Sequence, residues 1–178
     1  MLGKPRPSQQ WLGLVWLLNL GREARKESMM TLKTKPTARH FWKIKESKPV
    51  SSPSVAENHI RKHIFNPFSD CEQEEMWVLL LNSRHNITHQ GMISKGTINC
   101  TLVDIRDLFR EAIRNNASKI ILTHNHPSGN EKPSGEDIRV TKDIYKAGEL
   151  LGISVEDHLI IGRHSYTSLR QEYGSTLC

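Results

Sequence analysis

Cysteine is scarce in this chain: Cys71, Cys100 and Cys178 are the only three among 178 residues. They are far apart and form no C-x-x-C pair, which excludes a small scaffold stapled by disulfides and points to a reducing, cytoplasmic setting. Long apolar runs are lacking too. The longest, Trp11 to Leu20, is far short of the roughly 20 residues that cross a bilayer, and no small-x-small cleavage site follows it. No membrane partner is expected, and export is disfavoured. Internal repeats at periods of 20 to 50 residues are absent, so a solenoid or propeller is excluded.

Positive charge is plentiful but unevenly placed. The formal net charge is +6, which taken alone suggests nucleic acid as a partner. Residues 1–50 hold eleven Lys or Arg against three Glu, whereas residues 51–178 hold fourteen basic against sixteen acidic groups. The basicity therefore belongs to a leader. Lys33 to Lys48 shows neither a helical nor an alternating period, so residues 1–50 read as a disordered leader. Met29 or Met30 is an alternative start, with residues 1–28 then untranslated. Residues 51–178 are long enough for one domain with a substantial core.

Elements become readable at Ser52-Pro53, an N-cap followed by proline in the first turn, with Ala56, Ile60 and Ile64 at helical spacing up to Asn66-Pro67. Met76 to Leu81 and Ile87 to Ile93 read as two strands of a hairpin. Asp104 caps a helix carrying Ile105, Leu108, Phe109, Ala112 and Ile113 on one face, closed by Asn115-Asn116. Lys119 to Thr123 is a buried strand running into His124-Asn125-His126, where Pro127 and Gly129 force a turn. Ser134 precedes a second long helix that Gly152 ends, and His158 to Ile161 forms a last strand. The order helix, hairpin, helix, strand, helix, strand predicts a mixed α/β layer fold.

Two histidines separated by one residue project to the same side of a strand. Asp137, in the first turn of the next helix, can join them if the loop from Pro127 to Pro133 folds back. Two imidazoles and a carboxylate make three protein ligands and leave a fourth tetrahedral position open, the arrangement of a catalytic zinc site. This donor set suits zinc better than magnesium or calcium, with manganese and iron as alternatives. A plainer account also fits Ser134-Gly135-Glu136-Asp137: a capping box with Ser134 at the N-cap and Asp137 at N3.

The string His124-x-His126-x7-Ser134-x-x-Asp137 resembles the JAMM motif of the JAB/MPN zinc metalloproteases. With Thr123 to Gly129 (Thr-His-Asn-His-Pro-Ser-Gly), Pro133-Ser134 and Asp157 to Gly162 (Asp-His-Leu-Ile-Ile-Gly), it is similar to the RadC-like branch. The resemblance covers about Ser52 to Tyr166. It implies a cytidine-deaminase-like fold, a curved mixed sheet flanked by helices, and one Zn²⁺ held by His124, His126 and Asp137. It further implies an upstream glutamate as general base. Glu74 fits best by its distance from Asn82, with Glu75 as the adjacent alternative and Glu72 a weaker one. Ser134 would stabilise the oxyanion, and the reaction implied is hydrolysis of a peptide or isopeptide bond in a peptide or protein substrate.

Two features depart from that family. Ile105 stands where the family commonly has proline, and residues 1–50 contain no recognisable helix-hairpin-helix counterpart. The competing reading, a DNA-repair or mobile-element protein that acts on nucleic acid, is weakened by that and by the acidic balance of residues 51–178. Asp157 and His158 read as structural residues at the start of the last strand, His85 and His89 as surface histidines, and Gly96 with Asn99 as shaping a loop near the groove. Oligomeric state leaves no signal in the sequence.

Overall fold

The computed structural model describes residues 41–45, 47–96 and 103–177. The apolar run Trp11 to Leu20, the alternative starts at Met29 and Met30, and Asn99 lie outside the described residues. Among the described residues, six strands and four α-helices follow one another as β1 (Phe41–Lys43), α1 (Pro53–His63), β2 (Glu74–Leu81), β3 (Ile87–Gly96), α2 (Ile105–Arg114), β4 (Lys119–Asn125), α3 (Gly135–Leu151), β5 (Ser154–Ile161), β6 (Tyr166–Ser168) and α4 (Leu169–Tyr173). The strands form one mixed sheet in the order β1-β3-β2-β4-β5-β6. Only β4 and β5 are parallel, and α3 supplies the crossover that a parallel pair requires.

Strand alternation builds a core on each face of this sheet. Trp77, Leu79 and Leu81 of β2 join Ile121, Leu159 and Ile161 beneath Ala56 and Ile60 of α1. Met76, Val78 and Leu80 turn the other way and join Ile120 and Leu122 beneath Leu108, Phe109 and Ala112 of α2 and Ile144 of α3. Helices cover both faces, which is why β2 reads as an unbroken apolar run rather than an alternating one.

The caps read from sequence are present. Ser52 accepts from the Val55 amide with Pro53 in the first turn, Asp104 accepts from the Arg106 amide, and Ser134 and Asp137 form a reciprocal capping box. Gly152 closes α3 at φ 69°, a left-handed conformation that glycine adopts without steric cost.

The expectation that Lys33 to Lys48 is unstructured fails at Phe41–Lys43, which pairs with β3 through Phe41↔Gly91, Trp42↔Gln90 and Lys43↔His89. Its stability is tertiary. A side chain at Gly91 would come within 2.7 Å of the Phe41 ring, so glycine there opens the space in which Phe41 lies. Trp42 stacks on Trp77 with ring centroids 5.6 Å apart. Three residues are too few to show a period, and their partners are about fifty positions away.

The last strand begins at Ser154, ahead of the expected His158, and β6 and α4 follow it. Glu156 and Asp157 break the apolar pattern of β5. Asp157 is buried and acts as a polar staple: its carboxylate accepts from the Ser168 hydroxyl at 2.6 Å, the Arg170 amide at 3.1 Å and the His158 amide at 2.7 Å. It ties β5 to the β6–α4 corner. Replacing it with alanine strands two buried donors and a half-buried one, so Asp157→Ala should lower the unfolding free energy by on the order of 3 kcal/mol in urea titration. A loss under about 0.5 kcal/mol, the range of an ordinary surface change, would remove the staple from this account.

Candidate metal centre

His124 lies within β4 and has the parity of Ile120 and Leu122, the side chains that face α2 and α3. His126 follows one pleat repeat later, just past the end of the strand. The chain then turns sharply: the Gly129 amide donates to the His126 carbonyl at 2.8 Å, and Gly129 takes φ 84°, as the Pro127-Ser128-Gly129 sequence predicts. That turn returns the chain to the N-terminus of α3, where Asp137 occupies the first turn.

Glu74 arrives from the neighbouring strand. The antiparallel register pairs Met76 of β2 with His124 of β4. Continued by two residues, it brings Glu74 level with His126, and Glu74 shares the parity of Met76, Val78 and Leu80. The same alternation separates the two candidate glutamates. Glu75 points through the opposite face, is 1% exposed, accepts from the Trp77 indole at 3.1 Å and pairs with Lys95 Nζ at 3.0 Å.

Glu74, His124, His126 and Asp137 each offer one ligand atom, and the four atoms lie within 4.8 Å of one another. His124 Nε2 is 3.0 Å from His126 Nε2, 3.3 Å from Asp137 Oδ1 and 3.7 Å from Glu74 Oε1. His126 Nε2 is 3.7 Å from Asp137 Oδ2. No other such group of three or more His, Cys, Asp or Glu occurs among the described residues. His85 and His89 lie away from it: His85 faces Lys119 Nζ and His89 faces the Thr88 hydroxyl.

The surroundings fix each member. His126 Nδ1–H donates to the Asn130 carbonyl at 2.7 Å, so the neutral ring turns the lone pair of Nε2 toward His124. Asp137 Oδ2 accepts from the Ser134 amide at 2.7 Å and the Ser134 hydroxyl at 2.6 Å, while the Asp137 amide donates to Ser134 Oγ at 3.1 Å. Ser134 thus caps α3 and directs its hydroxyl proton at Asp137. His124 is fully buried and its Nδ1 lies 2.8 Å from Nε2 of the equally buried His158. His158 Nδ1 in turn lies 2.6 Å from the Thr141 hydroxyl.

Asn125 sits between the two histidines and points the other way, wholly buried. Its side-chain oxygen accepts from the Glu75 amide at 2.8 Å and its side-chain nitrogen donates to the Gln73 carbonyl at 3.0 Å. The backbone is therefore gripped on both sides of Glu74 by the residue that joins the two histidines. Neither Asn125 nor Thr141 stood out in the sequence. Asn125 had one available signal, its placement between His124 and His126 on a strand that β2 must flank.

The electrostatics favour a positive charge at this point. Burial works against the charged form of His126, but the Asp137 carboxylate, the Asn130 carbonyl and Glu74 outweigh it and raise its pKa above that of an ordinary histidine. Burial alone would raise Asp137, yet hydrogen bonding to His126, the nearby His124 and the Ser134 donors pull its pKa well below the usual carboxylate range. Burial raises Glu74, with His126 opposing and Asp137 reinforcing the rise. His124 is pushed far down by burial and by His158, and burial lowers His158 to about 4. Two inward-facing nitrogens and two carboxylates around one point suit a divalent cation, and an N₂O-type donor set without sulfur is compatible with zinc.

The family model of the RadC-like JAB domain matches residues 50–174. Curated relatives include a UPF0758 protein of Desulforamulus reducens, 44% identical over 109 residues that make up 61% of this chain and 48% of the relative. Another, from Alkaliphilus metalliredigens, is 42% identical over 134 residues, 75% of this chain and 53% of the relative. A third, from Enterococcus faecalis, is 39% identical over 129 residues, 72% of this chain and 53% of its own length. The chain spans about half the length of these relatives. Among its described residues no helix is long and apolar enough to cross a membrane. The family match takes in the hairpin that carries Glu74, the His-x-His strand and the capped helix of Asp137, and on it the chain belongs to the RadC-like JAB domain family.

Proposed function

We propose that this chain is a zinc-dependent hydrolase that cleaves peptide or isopeptide bonds in a peptide or protein substrate. The observation that carries the reading is the approach of Glu74 to within 3.7 Å of His124 Nε2, in a cluster where two imidazoles and Asp137 already supply three donors. His124, His126 and Asp137 would hold the ion. When bound, zinc acidifies a coordinated water and polarises a carbonyl oxygen.

The side chains of this chain supply the rest. Glu74 accepts a proton at its carboxylate from the attacking water and returns it to the departing amine nitrogen. Burial on the α3 side of the sheet limits competing solvent. Ser134 keeps Asp137 oriented through its capping box, and it donates to the developing oxyanion by exchanging its bond to Asp137 Oδ2 for one to the substrate. One feature favours an amide substrate over nucleic acid: residues 51–178 hold fourteen basic against sixteen acidic groups, whereas non-specific nucleic-acid binding depends largely on phosphate neutralisation.

Metal analysis and turnover of an amide-substrate library, run in parallel on variants, test this. Wild type and Glu74→Gln should each carry one zinc per chain, with Glu74→Gln slower by about 10²–10⁴, whereas His126→Ala and Asp137→Ala should come through chelator treatment without metal. Zinc-loaded wild type that leaves every amide in the library intact would reduce the chain to a metal-stabilised binding module. Asn125→Ala should keep its zinc yet lose about 10²-fold in turnover, because Glu74 loses its backbone grip. Unchanged turnover in that variant would show that β2 pairing alone places Glu74.

A further inference from the structure

His158 and Thr141 are both completely buried, and the hydrolytic mechanism uses neither. His158 is an uncommon neighbour for a metal-binding histidine, whose second ring nitrogen usually donates to a carboxylate, a backbone carbonyl or water. His126 follows that habit through Asn130. His124 does not, because its Nδ1 faces another imidazole at 2.8 Å. A pair of imidazoles has two ways to share a proton, and only one of them leaves His124 able to bind a cation through Nε2.

The structure assigns that choice to Thr141. Its hydroxyl lies 2.5 Å from the Asp137 carbonyl, one helical turn back in α3. A carbonyl oxygen can only accept, so the single hydroxyl proton points there. Toward His158, at 2.6 Å, the threonine oxygen can then only accept, which places a proton on His158 Nδ1. A neutral His158 with its proton on Nδ1 presents a lone pair at Nε2. That lone pair accepts from His124 Nδ1–H, and His124 Nε2 is left with its own lone pair directed at His126, Asp137 and Glu74. We infer that His158 and Thr141 are positioning residues: a one-way chain of hydrogen bonds from Asp137 carbonyl through Thr141 and His158 fixes the tautomer of His124. The chain starts on the backbone of Asp137 and ends on His124, so the helix that contributes the carboxylate also sets the imidazole opposite it.

The inference rests on the reading of His124 as a metal ligand, and the experiment separates the two. Histidine tautomers are read by long-range ¹H–¹⁵N NMR on the metal-free full chain, and zinc affinity by chelator competition, for wild type, Thr141→Val, Thr141→Ser and His124→Ala. Valine keeps the volume of threonine and removes only the hydroxyl, so a packing role for Thr141 would leave both readouts unmoved. Wild type should show His124 protonated on Nδ1 and bare on Nε2. Thr141→Val should bind zinc about 10–100-fold more weakly and show a mixture of His124 tautomers, and Thr141→Ser should restore both. A wild-type spectrum with the proton on His124 Nε2 overturns the inference, and it does so even if Thr141→Val fails to fold. So does wild-type zinc affinity in Thr141→Val when His124→Ala has lost zinc. Full zinc affinity in His124→Ala overturns the ligand reading itself, and the proposed relay with it.

Discussion

Two imidazole nitrogens held 3.0 Å apart in a largely buried site are the constraint around which the polar contacts of the metal centre are arranged. Two lone pairs repel at that distance unless a proton or a cation lies between or beside them. The fold does not relieve the conflict by letting the rings turn away. His126 is tethered to Asn130 and His124 is buried against His158, while Asp137 is oriented by its own capping serine. A geometry this over-determined, with carboxylates on two sides, is stable when a positive charge occupies it. The Asp137 carboxylate, the Asn130 carbonyl and Glu74 also outweigh burial at His126 and raise its pKa above that of an ordinary histidine, so the site favours positive charge with or without an ion.

The placement follows from how the sheet is built. Parity on β4 sends His124 and His126 toward α3, and parity on β2 sends Glu74 the same way and Glu75 the other. The crossover between the parallel strands β4 and β5 puts the N-terminus of α3 at the carboxyl end of β4, where sites in α/β folds commonly form. Asn125 uses the intervening opposite-facing position to lock β2 at Glu74. Successive residues of one strand therefore alternate between two tasks, donating to the cluster and gripping the neighbouring strand that completes it.

Much of this was legible because it is local. The caps at Ser52, Asp104 and Ser134, the turn at Pro127 to Gly129 and the His-x-His parity all depend on residues within a few positions of one another. The motif resemblance named Glu74 together with His124, His126 and Asp137, the four side chains that the fold brings together, beyond what spacing alone could give. What stayed hidden depends on distant partners. Phe41–Lys43 is a strand because Gly91 and Trp77 make room and contact for it. The start of β5 was obscured because Asp157, polar in sequence, is buried with three donors. Thr141 is one more threonine in a helix until His158 is seen above it, although its position four residues after Asp137 places it on the same helical face.

The central claim is that His124, His126 and Asp137 converge on one exchangeable divalent cation, and X-ray absorption at the zinc edge of the reconstituted full chain tests it most directly. The account predicts a single zinc environment with two imidazole nitrogens at about 2.0–2.1 Å, light oxygen ligands completing a low-coordinate shell, and no sulfur. A zinc ion bound through sulfur, or one whose imidazole scattering persists unchanged when His124 and His126 are both replaced, would contradict it.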